Sequence, residues 1–149
     1  MYPYSIGEAG LYDAVVKTAR ARILVVDAPL HRPYKGFRPA ERDVMRSLGA
    51  RLLPGGTPGM QKLAQLGLSI RSLAEEAGIT VLESHPSTQR RLGDLSLRSP
   101  GPHARDAVTL LLVAAAYLAG CYVEYNDGYS RLVFAREECL GRIVLGSTW

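Results

Sequence analysis

An α/β fold, a parallel sheet with helices on its faces, is what this sequence predicts, and three stretches carry the prediction. "RILVVDA" (22–28) and "ITVLES" (79–84) are short aliphatic runs ending in a carboxylate. The long helical crossover between them is the connection that parallel strands require. "AVTLLLVAAAYLAG" (107–120) is apolar almost all round but shorter than the roughly 20 residues a bilayer demands, so it reads as a buried helix packed on the sheet.

The elements follow in order. "EAGLYDAVVKTAR" (8–20) sets Leu11, Ala14, Val15 and Thr18 at helical spacing and leads into the strand 22–28. Pro39 at a first turn and Gly49 past the end bracket a short helix over 39–48. In "PGGTPG" (54–59), Thr57 reads as an N-cap and Pro58 as the first position of a helix of about 20 residues that ends at Gly78. The strand 79–84 is followed by a short helix over 86–93, a loop over 96–102 and the apolar helix from about His103 to Gly120. "CYVEYNDGYSRLVFA" (121–135) reads as two strands joined at the hairpin dipeptide Asp127-Gly128. "GRIVLGSTW" (141–149) has the look of a further strand.

Composition bounds the function classes. At 149 residues, 47% hydrophobic and 21% charged, the chain suits a single globular domain over 1–149. "MYPYSIGEAG" lacks the charged start and apolar run of a secretory leader, and no stretch is long enough to span a membrane, so a cytoplasmic protein is expected. Cys121 and Cys139 form no CxxC motif and are expected to be two core thiols.

The net charge of +4 is unevenly spread. Arg32, Lys35, Arg38, Arg42, Arg46 and Arg51 face only Glu41 and Asp43, and Arg90, Arg91, Arg98 and Arg105 face only Asp94. Both groups follow a strand that ends in an acid. Arginine far outnumbers lysine, and its planar fork suits phosphate oxygens, which favours a polyanionic partner such as nucleic acid; genome composition or thermal adaptation accounts for it equally well.

Ligands of open parallel sheets gather outside the carboxyl ends of the strands, where Asp27 and Glu83 are expected. Alternation sets Ile23, Val25 and Asp27 on one face of their strand and Ile79, Val81 and Glu83 on one face of theirs. Asp106 falls in the first turn of the apolar helix, on the stripe His103, Asp106, Leu110, Val113, Tyr117 that an inward-facing helix turns to the sheet. Carboxylates gathered there repel one another unless a cation compensates, and oxygen ligands of this kind suit magnesium or manganese. Each acid also has a plainer role: Asp27 as a loop cap, Glu83 as the partner of a nearby arginine, Asp106 as a complement to the helix dipole. His85 and His103 are either ligands and general acids or surface and capping residues.

"VVDAPL", "RPAERD", "PGGTPGMQKL", "VLESHPS", "HARDAVTLLLVAAAYLAG" and "DGYSRLVF", in this order over residues 8 to about 135, resemble an uncharacterised family of predicted nucleases with a ribonuclease H-like fold. The resemblance implies a mixed sheet with helices on its faces and a magnesium- or manganese-dependent nuclease or phosphodiesterase. Asp27, Glu83 and Asp106 match the family's acids and His103 the histidine that opens its last motif, while Arg32, Lys35, Arg38, Arg90 and Arg91 are the expected phosphate contacts. The family's first strand, with its glycine and aspartate, and the meander after it are missing or reduced here. A truncated reading frame, a degenerate member, and an extra C-terminal strand covering the open edge, with Glu124 supplying a carboxylate, are the three explanations. The resemblance therefore leaves two classes open, a metal-dependent nuclease and a noncatalytic nucleic-acid or nucleotide-binding domain. A sheet without its edge strands also favours a homodimer.

Overall fold

The computed structural model describes residues 21–92 and 101–144. The helix expected over 8–20 and most of the loop over 96–102 lie outside the described residues. Four strands form one mixed sheet in the order β1-β2-β4-β3, with β1 at Ile23–Val26, β2 at Thr80–Glu83, β3 at Tyr122–Asn126 and β4 at Arg131–Ala135. β1 and β2 pair in parallel from Ile23↔Thr80 to Val26↔Glu83, as two aliphatic runs joined by helical crossovers require. β4 runs parallel to β2 through the pair Glu83↔Leu132, and β3 closes the other edge antiparallel to β4.

Among the described residues five helices surround it: α1 (Pro39–Leu48), α2 (Pro58–Glu76), α3 (Pro86–Leu92), α4 (Pro102–Leu118) and α5 (Glu137–Val144). The local signals for α1 and α2 act as read. Pro39 opens α1, and Gly49 ends it in the left-handed region at φ 61°. The Thr57 hydroxyl accepts from the Met60 N–H at 3.4 Å at the start of α2. The chain segment Gly141–Val144 is helical, so the strand expected there is corrected; its Gly-Arg-Ile-Val run completes a helix that sets Leu140 against Ala116 and Ala135.

Alternation along the strands sorts the core into two layers. Leu132 and Phe134 pack with Ala40, Val44 and Ala50 on the α1 face. Leu82 and Val133 pack with Val113 of α4, joined by Ile23 and Val25, on the opposite face. The expected hairpin is present, but its connection spans Asp127 to Ser130 rather than two residues. Asp127 is the reason: Oδ1 accepts from the N–H groups of Tyr129 and Ser130 at 2.8 and 2.7 Å, and Oδ2 accepts from the Ala40 N–H at 3.0 Å, so one side chain both shapes the loop and caps α1.

Cys121 and Cys139 are joined as a disulfide, their Cα atoms 6.2 Å apart, fastening the start of β3 to α5. The expectation of two free thiols is corrected accordingly. Sequence spacing gave no sign of it, because the two residues meet only when α5 folds back beside β3. Among the described residues no helix is long and apolar enough to cross a membrane.

Gly67 of α2 lies directly against the loop after β1, where an added Cβ would sit 2.1 Å from the Pro29 carbonyl oxygen. Alanine normally improves a helix interior by about 0.5–1 kcal/mol over glycine. Here Gly67→Ala should instead lower stability by about 1–3 kcal/mol as the loop is pushed away. Gly59→Ala, which meets open space on the same helix, should not. Thermal melting of the two variants checks this contrast.

Candidate functional site

The carboxyl edge of the sheet is organised by a buried ion pair. Arg38 and Glu83 are each only 1% exposed, which two charged side chains tolerate only when fully paired. Glu83 Oε1 accepts from Arg38 Nη2 at 2.6 Å, and Oε2 accepts from Arg38 Nη1 at 3.1 Å and from the Leu30 N–H at 3.2 Å. Arg38 Nη2 also donates to Glu41 Oε1 at 2.7 Å, while its backbone N–H donates to Glu41 Oε2 at 2.8 Å, so the third residue of α1 reaches back to satisfy the N-cap N–H. Burial opposes ionisation of Glu83, but His85 and Arg38 outweigh it and hold the carboxyl below its usual range. His85 Nε2 is 3.7 Å from Glu83 Oε1, too far for a hydrogen bond, so its contribution is one of charge.

Two expectations change as a result. Glu83 is the partner of an arginine, its oxygens already taken, and Arg38 is a buried clamp rather than a phosphate contact. Register explains why Glu83 stands apart from Asp27. Paired residues of parallel strands share a face, and Glu83 pairs with Val26, one residue before Asp27. Glu83 therefore belongs to the α1 face, whereas Asp27 continues the Ile23, Val25 row that packs on α4. The counterpart of Asp27 by the same count is Ser84, whose N–H donates to the Val26 carbonyl at 3.0 Å.

On that α4 side a smaller group gathers. Asp27 stays exposed and makes no hydrogen bond or ion pair among the described residues. Its proton affinity is raised, chiefly by partial desolvation and then by the negative charges of Asp106 and Glu83, against the opposing influence of His85 and Arg90. Asp106 Oδ1 accepts from Arg90 Nη1 at 2.6 Å, both side chains being partly exposed. Asp106 is the fifth residue of α4, so it lies in the second turn rather than the first, beyond the strongest reach of the helix dipole. Ser84, on the same face by register, is fully buried, and neither its Oγ nor Nε2 of the partly buried His85 has a hydrogen-bond partner among the described residues. A hydroxyl left unpaired at a buried position costs about 1–3 kcal/mol, so a water, an ion or a ligand atom has a place to pair there.

The other expected residues divide. Arg32 and Lys35 are exposed on the loop after β1, free to meet phosphate. Arg90 is held by Asp106, and Arg91, though exposed, donates to the Gly49 carbonyl. His103 is exposed at the start of α4 and does not join the inward stripe, which runs from Asp106 to the half-buried Tyr117 through the fully buried Val113. Glu124 is taken by Arg131 at 2.5 and 3.3 Å and is no substitute for a missing acid. Among the described residues no three His, Cys, Asp or Glu side chains are gathered closely enough to hold a metal ion.

The two acids at the strand ends should respond to pH with opposite signs. Glu83 has a lowered folded value, so its contribution to stability is complete above about pH 4.5, its ordinary value, and is lost as pH falls through the folded one. Asp27 has a raised folded value, so its ionisation destabilises the fold progressively as pH climbs above 3.8. Asp27→Asn should therefore melt higher than the parent at pH 7, with the difference vanishing below about pH 3.8. A pH series of melting curves on parent and variant measures both effects.

Comparison of the chain with protein-family models, with curated proteins and with solved structures finds no match, so the likeness to ribonuclease H-like nucleases rests on the sequence motifs quoted above.

Proposed function

We propose that the protein is a divalent-cation-dependent phosphodiesterase acting on nucleic acid, with its site on the α4 side of the carboxyl edge and only two of the three expected acids in it. The observation that carries this reading is the proximity of Asp27, a carboxylate unpaired among the described residues, to Asp106, with the buried Ser84 on the same face of the sheet by register. Two carboxylates with a neutral oxygen fit a magnesium or manganese ion, which commonly takes one or two protein carboxylates and completes its shell with water and substrate phosphate. When bound, such an ion supplies positive charge that polarises a phosphoryl oxygen and steadies the leaving oxygen.

The protein's own groups have distinct tasks. Asp27, exposed and without a partner among the described residues, would hold the ion together with Asp106. Ser84 donates a hydrogen bond into the site from a fixed, buried position. Arg90 is held against Asp106, and a phosphate arriving there offers its guanidinium a second anion, so Arg90 serves as the entry contact for the scissile group. Arg32 and Lys35 lie outside the site and hold the flanking backbone. Arg38 and Glu83 take no part in the chemistry; they fix the loop on which Asp27, Arg32 and Lys35 are carried.

A second reading, a phosphate-binding domain without chemistry, is favoured by one contact: Arg90 already neutralises Asp106, leaving Asp27 as the one acid of this group that is unpaired among the described residues. Calorimetric titration with manganese separates the readings. The hydrolytic one expects binding at or below millimolar levels, weakened about tenfold or more in Asp27→Asn and Asp106→Asn and less in Ser84→Ala, with cleavage of a labelled oligonucleotide lost in parallel. Absence of manganese binding by the parent protein leaves the noncatalytic reading.

A further inference from the structure

β4 begins at Arg131, level with the carboxyl end of β2, because Glu83 pairs with Leu132. The amino half of β2 therefore has no β4 neighbour, and a cavity of about 430 Å³ opens there beneath the β3–β4 loop. Thr80 and Val81 form one wall, Arg71 and Glu75 of α2 another, and Tyr129 the lip. Tyr129 is 63% exposed, and its ring meets the exposed Tyr34 edge to face with centroids 6.5 Å apart.

Two exposed tyrosines touching each other on a polar surface are unusual, since neither is needed to fill a core. Both are rigidly presented. Tyr129 sits on the loop locked by Asp127. The Tyr34 carbonyl lies so close to Gly55 that a Cβ there would approach it to 2.5 Å, and the Gly55 N–H donates to the Gly36 carbonyl at 2.9 Å, clasping the two loops. Cations surround the pair. Arg32 and Lys35 flank Tyr34 in sequence and are exposed, and Arg71 reaches the cavity while donating to the Leu30 carbonyl at 3.0 Å. Glu75, the acid on this wall, is paired with Arg71 at 2.9 Å.

We propose that Tyr34 and Tyr129 form a stacking platform for the bases of single-stranded nucleic acid, with one base entering the cavity under Tyr129 and its phosphates meeting Arg32, Lys35 and Arg71. The proposal rests on the nucleic-acid reading above and narrows it to single strands. Aromatic faces accept any base, whereas a duplex hides its base faces and offers only backbone. The hydroxyl of Thr80 and the guanidinium of Arg71 can meet polar edges of a base in the cavity without demanding one sequence. The platform is separate from Asp27 and Asp106, so it needs no cation and no cleavage.

The test is fluorescence anisotropy of labelled oligothymidylate, its duplex with oligoadenylate, and an abasic strand of equal length, all at low salt with EDTA present. The expected result is binding of the single strand at least about tenfold tighter than duplex or abasic strand, weakened about tenfold or more by Tyr129→Leu and by Tyr34→Leu, and restored by Tyr129→Phe. Equal affinity for all three nucleic acids, or leucine variants that melt and bind like the parent, would overturn the platform while leaving the cation site standing. Failure to bind any nucleic acid would overturn it as well. Tyrosine-dependent binding with no manganese uptake would uphold it and remove only the hydrolytic reading.

Discussion

The Arg38–Glu83 pair is the constraint on which the carboxyl edge depends. A parallel strand that ends in glutamate must place that charge somewhere, and Glu83, on the face covered by α1, has no route to solvent. Arg38 meets it from the loop after β1, and in doing so fixes three things at once: the end of β2, the start of α1 through Glu41, and the path of the chain through the Leu30 N–H. Desolvating two charges costs several kcal/mol per ion, so the pair is a device for a unique geometry more than a source of net stability. Removing either partner alone leaves the other charge stranded.

That geometry determines what remains for function. With the loop after β1 anchored by Arg38 below and by Gly67 against Pro29 on the α2 side, Asp27 is left at the strand end with no partner among the described residues, and Arg32, Lys35 and Tyr34 are carried outward on the same segment. The opposite side of the sheet supplies Asp106 and Arg90 from α4 and α3, and Ser84 from the residue after β2. The loop is thus held from beneath by a satisfied buried network, while above it Asp106 is paired with Arg90 and the groups without a partner among the described residues are Asp27 and the Ser84 hydroxyl. Stability and reactivity are allotted to the two faces of one sheet edge.

Much of this was legible in the chain and some was not. The strands at 23–26 and 80–83, the Pro-Gly brackets of α1, the Thr57 cap of α2 and the helix after Pro102 follow from local rules and stand close to where those rules put them, but α4 is not the buried helix its apolar sequence suggests: it buries one face and leaves Leu111 and Leu118 exposed. The acids were found by residue type, but their grouping depends on register: one residue of offset between β1 and β2 sends Glu83 to the face opposite Asp27, and no local signal fixes that offset. The plainer role considered for Glu83, pairing with an arginine, is the one it has. Ser84 escaped notice because an uncharged hydroxyl after a strand is commonplace until its burial and lack of a partner are known. The Cys121–Cys139 disulfide and the meeting of Tyr34 with Tyr129 join distant segments, and such contacts leave no periodicity to read. The hairpin dipeptide Asp127-Gly128 marked the turn correctly, but the reach of Asp127 to α1 made the connection longer than the dipeptide alone implies.

A double-mutant cycle on Arg38 and Glu83 measures the central claim most directly. Unfolding free energies of the parent, Arg38→Met, Glu83→Gln and the combined variant would be taken by denaturant titration in EDTA, so that no cation contributes. The account predicts that each single change costs about 3–5 kcal/mol, that the double costs markedly less than their sum, and that EDTA itself leaves the parent unaltered. Additive costs, or a parent protein that loses stability when EDTA is added, would show that something other than this ion pair holds the carboxyl edge.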